Sequence, residues 1–125
     1  MLRSNLPKVL AVLEDIFFTV KINESAKRAG MPVTFVKSEA DVLAQAGEKP
    51  ALIIFDLNFA RIDPLNVIRK LKADENFKDI RVIGYLSHVQ GDLKLAAHAA
   101  GCDMVLPRSA FSQNLPQILK RHLGA

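Results

Sequence analysis

The sequence predicts an α/β domain in which a parallel sheet is sandwiched between helices, and three observations predict it. Five short apolar runs recur along the 125 residues: Val9 to Leu13, Val33 to Val36, Ala51 to Phe55, Val82 to Leu86 and Met104 to Leu106. Single segments of helical character separate them. Apart from Thr34 in the second, the runs stay apolar through successive residues instead of alternating with polar ones, which is the mark of strands covered by helices on both faces.

Each helical segment carries its own start or stop signal. "DIFFTVKINESAKRAG" ends at Gly30, a natural left-handed cap. "SEADVLAQAG" opens on Ser38 with Asp41 three residues on, resembling a capping box, and ends at Gly47. "DPLNVIRKLKAD" puts Asp63 at the N-cap and Pro64 in the first helical position, with Leu65, Ile68 and Leu71 on one face. "GDLKLAAHAAG" and "SQNLPQILKRHL" complete the set, with Pro116 expected in a first turn, where N–H groups lack helical partners anyway. Strand then helix, five times over, predicts a flavodoxin-like, doubly wound (βα)5 sandwich with a parallel five-stranded sheet in the order 2-1-3-4-5.

Composition bounds the function. Residues 1–125 suit one compact domain with no room for an effector module. Half the residues are hydrophobic and 24% are charged, as in ordinary globular domains. No apolar run nears the roughly 20 residues of a membrane span, and the stretch at Val9 to Leu13 meets acids directly, so it reads as a strand and not as a signal peptide. The single cysteine, Cys102, allows no internal disulfide, which makes a reducing cytoplasm the expected location, with Cys102 itself a small buried residue. A net charge of +4 comes from dispersed basic residues without interleaved aromatics, a poor match to nucleic-acid binding. The three histidines show no metal-ligand spacing, and His98 belongs on a helix surface. Lys120, Arg121 and His122 complement the negative end of the last helix, and Phe17 and Phe18 are expected in the core.

Right-handed crossovers bring every strand's carboxyl end to one edge of the sheet. The residues there are Glu14 and Asp15 after the first strand, Asp56 after the third, Ser87 and His88 after the fourth, and Arg108 after the fifth. Three clustered carboxylates repel one another unless a pKa rises or a hard cation binds. Mg²⁺ suits them, because it takes one or two carboxylates, keeps waters and accepts phosphate oxygens. A phosphoryl group on Asp56 would meet the metal on one side and Ser87 and Arg108 on the other. Asp56 is then a candidate nucleophile that remains as an acyl phosphate.

With these motifs, "AVLED", "LIIFDLN", "VIGYLSH" and "GCDMVLPRSAF", the chain resembles the receiver domain of bacterial two-component response regulators, especially stand-alone receivers of the chemotaxis type. The resemblance spans essentially the whole length. It implies that Glu14, Asp15, Asp56 and the main-chain carbonyl of Asn58 hold Mg²⁺, that Asp56 takes a phosphoryl group from a histidine kinase or phosphotransfer protein, and that Ser87 and Arg108 contact that group. It also implies output to a protein partner through the fourth helix, fifth strand and fifth helix, with no catalysis beyond the chain's own phosphoryl transfer and dephosphorylation. The departures are Arg108 where the family carries lysine, His88 in place of a small residue, Val105 at the position of the aromatic switch, a Glu-Asp acidic pair, and no proline after the acceptor in "NFARID".

Those departures motivate an alternative, a phosphorylation-independent pseudo-receiver that acts as a binding or scaffold module. A small phosphohydrolase is a third class, but Asn58 stands where such an enzyme needs a second acid to protonate the leaving group.

Overall fold

The computed structural model describes residues 7–87 and 91–122. Strands β1 (Val9–Val12), β2 (Val33–Val36), β3 (Leu52–Asp56), β4 (Arg81–Leu86) and β5 (Met104–Pro107) alternate with helices α1 (Ile16–Ala29), α2 (Glu39–Ala46), α3 (Pro64–Ala73), α4 (Gly91–Ala100) and α5 (Arg108–Arg121). The sheet is wholly parallel in the order β2-β1-β3-β4-β5, the expected topology.

Alternation along each strand divides the core into two layers. Leu10, Val12, Ile53, Phe55, Val82 and Val105 face one side, with Val42, Val67, Ile68 and Leu71 from α2 and α3 and Ala97 from α4. Val9, Ala11, Leu52, Ile54, Ile83 and Tyr85 face the other, against Phe18 and Ile22 of α1 and Phe111, Leu115 and Ile118 of α5. Burying each such large side chain contributes about 1.5–3 kcal/mol, which is why central strands β1 and β3 are apolar up to their carboxyl ends, while Thr34 in β2 and Arg81 at the start of β4 are exposed. Period-two continuation puts Asp56 and Ser87 on the α1/α5 side of the sheet.

Caps behave as their residues require. Ser38 Oγ accepts from the Asp41 N–H at 3.2 Å and Asp63 Oδ1 from the Asn66 N–H at 3.2 Å. Gly30 ends α1 at φ 74°, a conformation that favours glycine. The last helix differs from expectation. It starts at Arg108, four residues before Ser112, so Pro116 lies in its interior instead of its first turn. Proline there forgoes one helical hydrogen bond. The helix persists because Phe111, Leu115, Ile118 and Leu119 are buried on its inner face.

Gly84 has a different task. A Cβ at Gly84 would lie 2.7 Å from the Leu57 side chain, so only glycine lets the residue after Asp56 fold inward over β4. Leu57 donates its N–H to the Tyr85 carbonyl at 2.9 Å and is buried. That seat directs the chain after Asp56 across the end of β4.

Candidate functional site

At the carboxyl edge, Asp15 is the N-cap of α1, and its Oδ1 accepts from the Phe18 N–H at 3.3 Å. Its other oxygen, Oδ2, lies 2.6 Å from Nη2 of Arg108, the first residue of α5. The guanidinium also lies over the Phe18 ring, 4.6 Å from its centroid. Arg108 thus ties the start of α5 to the start of α1.

Asp56 closes β3 and is half-buried, and its Oδ1 accepts from the Asn58 N–H at 2.9 Å. The Asn58 side chain reaches on to β4: its Oδ1 accepts from the Ser87 N–H at 2.8 Å and from the Ser87 hydroxyl at 2.9 Å. The turn seated by Gly84 and Leu57 therefore links the end of β3 to the end of β4. Sequence reading assigned Asn58 a main-chain role; its side-chain bond to Ser87 was not anticipated.

Glu14 lies apart. It is exposed, and its Oε2 pairs with Arg61 Nη2 at 2.7 Å. His88 falls outside the described residues. Val105 is buried on the α3/α4 side of the sheet, opposite the face that carries Asp56. A buried aromatic that does share the face of Asp56 is Tyr85, its register neighbour across β3 and β4. Its place two residues before Ser87 in "VIGYLSH" was the available signal, since residues two apart share a face.

Electrostatics separates the two aspartates. Burial alone would raise the Asp15 carboxyl, but the hydrogen bond from Arg108, the Phe18 N–H and the Arg108 charge hold it below its ordinary value. Burial raises the Asp56 carboxyl, with Asp15 adding to the rise, and the Asn58 N–H and Arg108 only partly oppose it. Asp15 is ionised and neutralised, while Asp56 is the acid that lacks a dedicated counter-charge. Cys102 is buried and its thiol is pushed up to about 12, a structural and unreactive residue.

An open groove of about 590 Å³ adjoins the cluster, lined by Phe17, Phe18, Ser87, Pro107, Arg108, Ser109 and Ser112. Phe17 contributes to it because it is 64% exposed, contrary to the expectation that both phenylalanines lie in the core; only Phe18 does. The helical turn points them in different directions.

The donors of Asp15 and Asp56 are hard carboxylate oxygens, coupled electrostatically at one corner of the sheet. That donor chemistry fits Mg²⁺, which needs few protein ligands and retains waters. Among the described residues, however, no three acid, histidine or cysteine side chains gather around one point. Asp15 and Glu14 are instead each paired with a guanidinium, Arg108 and Arg61 respectively.

The chain matches no protein-family model, and comparison with curated proteins finds no relative. Solved structures do match. A response regulator from Hahella chejuensis superposes with a TM-score of 0.84 at 20% identity, over 95% of this chain and 96% of that one. The chemotaxis response regulator CheY4 of Vibrio cholerae gives 0.80 at 21% identity, over 94% and 99%. The receiver domain of the Pseudomonas aeruginosa sensor histidine kinase PA1611, with a magnesium ion in its active-site cleft, gives 0.79 at 22% identity, over 95% and 98%. At this identity the likeness is one of fold, and the fold is that of response regulator receiver domains, stand-alone ones included.

Proposed function

We propose that this chain, a single domain with the receiver fold, accepts a phosphoryl group on Asp56 from a histidine kinase or phosphotransfer protein and signals through protein contacts. The observation that supports this best is the convergence at the switch-point edge of a doubly wound sheet of half-buried Asp56, the Arg108–Asp15 pair, and Ser87, which is bonded to Asn58 in the turn after Asp56. In the transfer, an Asp56 carboxylate oxygen bonds to phosphorus while the bond to the donor's histidine nitrogen breaks and its electron pair leaves with the imidazole. Arg108 supplies a planar, permanently charged fork for the phosphoryl oxygens. Ser87, bonded through Asn58 to the turn that follows Asp56, would turn its hydroxyl to the same oxygens.

Asp15, Asp56, the Asn58 carbonyl and Glu14 would hold Mg²⁺, and Arg61 and Arg108 would have to give up their carboxylates to it. When bound, the ion neutralises phosphoryl charge. Output through α4, β5 and α5 is supported by Leu95 of α4, which is 71% exposed. Among the described residues no helix is long and apolar enough to cross a membrane.

The test is the intact mass of the purified chain after incubation with acetyl phosphate and Mg²⁺. A single phosphoryl adduct, absent in Asp56→Ala and absent without the metal, supports the reading. The pseudo-receiver alternative draws on the 2.6 Å Arg108–Asp15 pair, which satisfies the pocket internally without phosphate. It requires that a folded Asp56→Ala variant keep full signalling function.

A further inference from the structure

Tyr85 carries a buried hydroxyl with no hydrogen-bond partner among the described residues. Unpaired buried hydroxyls are uncommon in native structures and ask for an explanation. The ring cannot turn away to find water. Its centroid lies 4.9 Å from Phe18 and 4.9 Å from Phe111, stacked at 17° on the latter, and the residue has no exposure to solvent. What can change is the set of charged groups around it.

Three such groups act on the phenol: Asp56, its neighbour across β3 and β4, Asp15 at the head of α1, and Arg108 at the head of α5. Arg108 rests on the Phe18 ring that itself touches Tyr85, and its charge serves the acids. While that holds, the acids have a charged donor stronger than any neutral phenol. Once the guanidinium leaves, the phenol is a neutral donor on the same face of the sheet as Asp56, one strand away. We propose that Tyr85 is a positioning residue held in reserve for Asp56: when Arg108 is drawn off the acid pair, the Tyr85 hydroxyl donates to the Asp56 side chain and fixes it against the aromatic layer of α1 and α5.

The reserve bond itself stands on this geometry. Its use by a phosphorylated Asp56, whose phosphoryl oxygens would attract Arg108, rests on the receiver reading above. The chain contains one tyrosine and no tryptophan, so its tyrosine absorption band reports Tyr85 alone. A phenol that donates to a carboxylate absorbs at longer wavelength than one without a partner.

Second-derivative absorbance of the full chain at neutral pH tests both parts. Arg108→Gln is expected to red-shift the Tyr85 band, and Arg108→Gln with Asp56→Ala to return it to the native position. An unmoved band in folded Arg108→Gln overturns the proposal, and so does a shift that survives the loss of Asp56. Arg108→Met, which keeps an apolar stem over Phe18, replaces the glutamine variant if circular dichroism shows that the latter does not fold. In the native chain, acetyl phosphate with Mg²⁺ should produce the same red shift in step with the adduct mass. An adduct without the shift contradicts Tyr85's role. No adduct at all contradicts the receiver reading, and the Arg108 variants then decide the reserve bond by themselves.

Discussion

Arg108 and Asp15, 93 residues apart in sequence, are joined by a 2.6 Å bond between Nη2 and Oδ2 that links the first residue of α5 to the N-cap of α1. The Arg108 guanidinium lies over the Phe18 ring, and the pair is partly screened by solvent, with side-chain exposures of 37% for Arg108 and 26% for Asp15. It therefore stands between a surface pair of little worth and a buried one whose loss is costly.

Arg108→Ala should lower stability by about 1 kcal/mol, read from the denaturation midpoint at neutral pH. The pH dependence follows from Asp15, whose carboxyl is lowered in the fold. A lowered carboxyl contributes stability that is full above its unfolded value and is lost as pH falls through its folded one. Without Arg108 that acid-side loss should shrink. An unchanged acid limb in the variant would show that the pair contributes nothing.

Asp56 has the opposite sign. Its carboxyl is raised, by burial first and by Asp15 second, so its ionisation costs stability as pH rises through the folded value. Asp56→Asn should raise the melting temperature at pH 7 by about 2–4 °C, and the gain should vanish as pH falls below the carboxylate range. Thermal melts across pH check this.

Removing the Tyr85 hydroxyl should be harmless to the resting fold. Tyr85→Phe keeps the ring between Phe18 and Phe111 and deletes a buried donor without a partner among the described residues. Its unfolding free energy should equal the native value or exceed it by up to about 1 kcal/mol. A marked loss would mean that the hydroxyl is already bonded.

Gly84→Ala should cost about 1–3 kcal/mol, because its Cβ would meet Leu57 at 2.7 Å. Leu57→Ala made together with it should be less destabilised than the two single losses added, a coupling that a double-mutant cycle measures. Hydrogen exchange at the Ser87 amide should also quicken in Gly84→Ala, since the Asn58 side chain that accepts that N–H is placed by the same turn.

The fold was legible because period and punctuation agree: apolar runs such as "ALIIF" can be covered only from both sides, and Ser38, Asp63 and Gly30 mark helix ends by local chemistry. The start of α5 was not, since Pro107 offers no side-chain cap and Pro116 looked like an opening-turn residue. Tertiary burial of Phe111 and Leu115 overrides that local signal. At the site, the strand ends named Asp15, Asp56, Ser87 and Arg108, whereas partner choice was hidden. That Glu14 turns to Arg61, and that Asn58 bridges to Ser87, depends on side chains 47 and 29 residues distant, which no local pattern encodes.

The most direct test of the account is binding of beryllofluoride, a phosphoryl mimic, to the full chain with Mg²⁺, followed by fluorine NMR. A bound resonance in the native chain that disappears in Asp56→Ala and weakens in Arg108→Ala is the predicted result. A folded native chain that shows no bound resonance at saturating Mg²⁺ and fluoride would contradict the assignment of Asp56 as a phosphoryl acceptor.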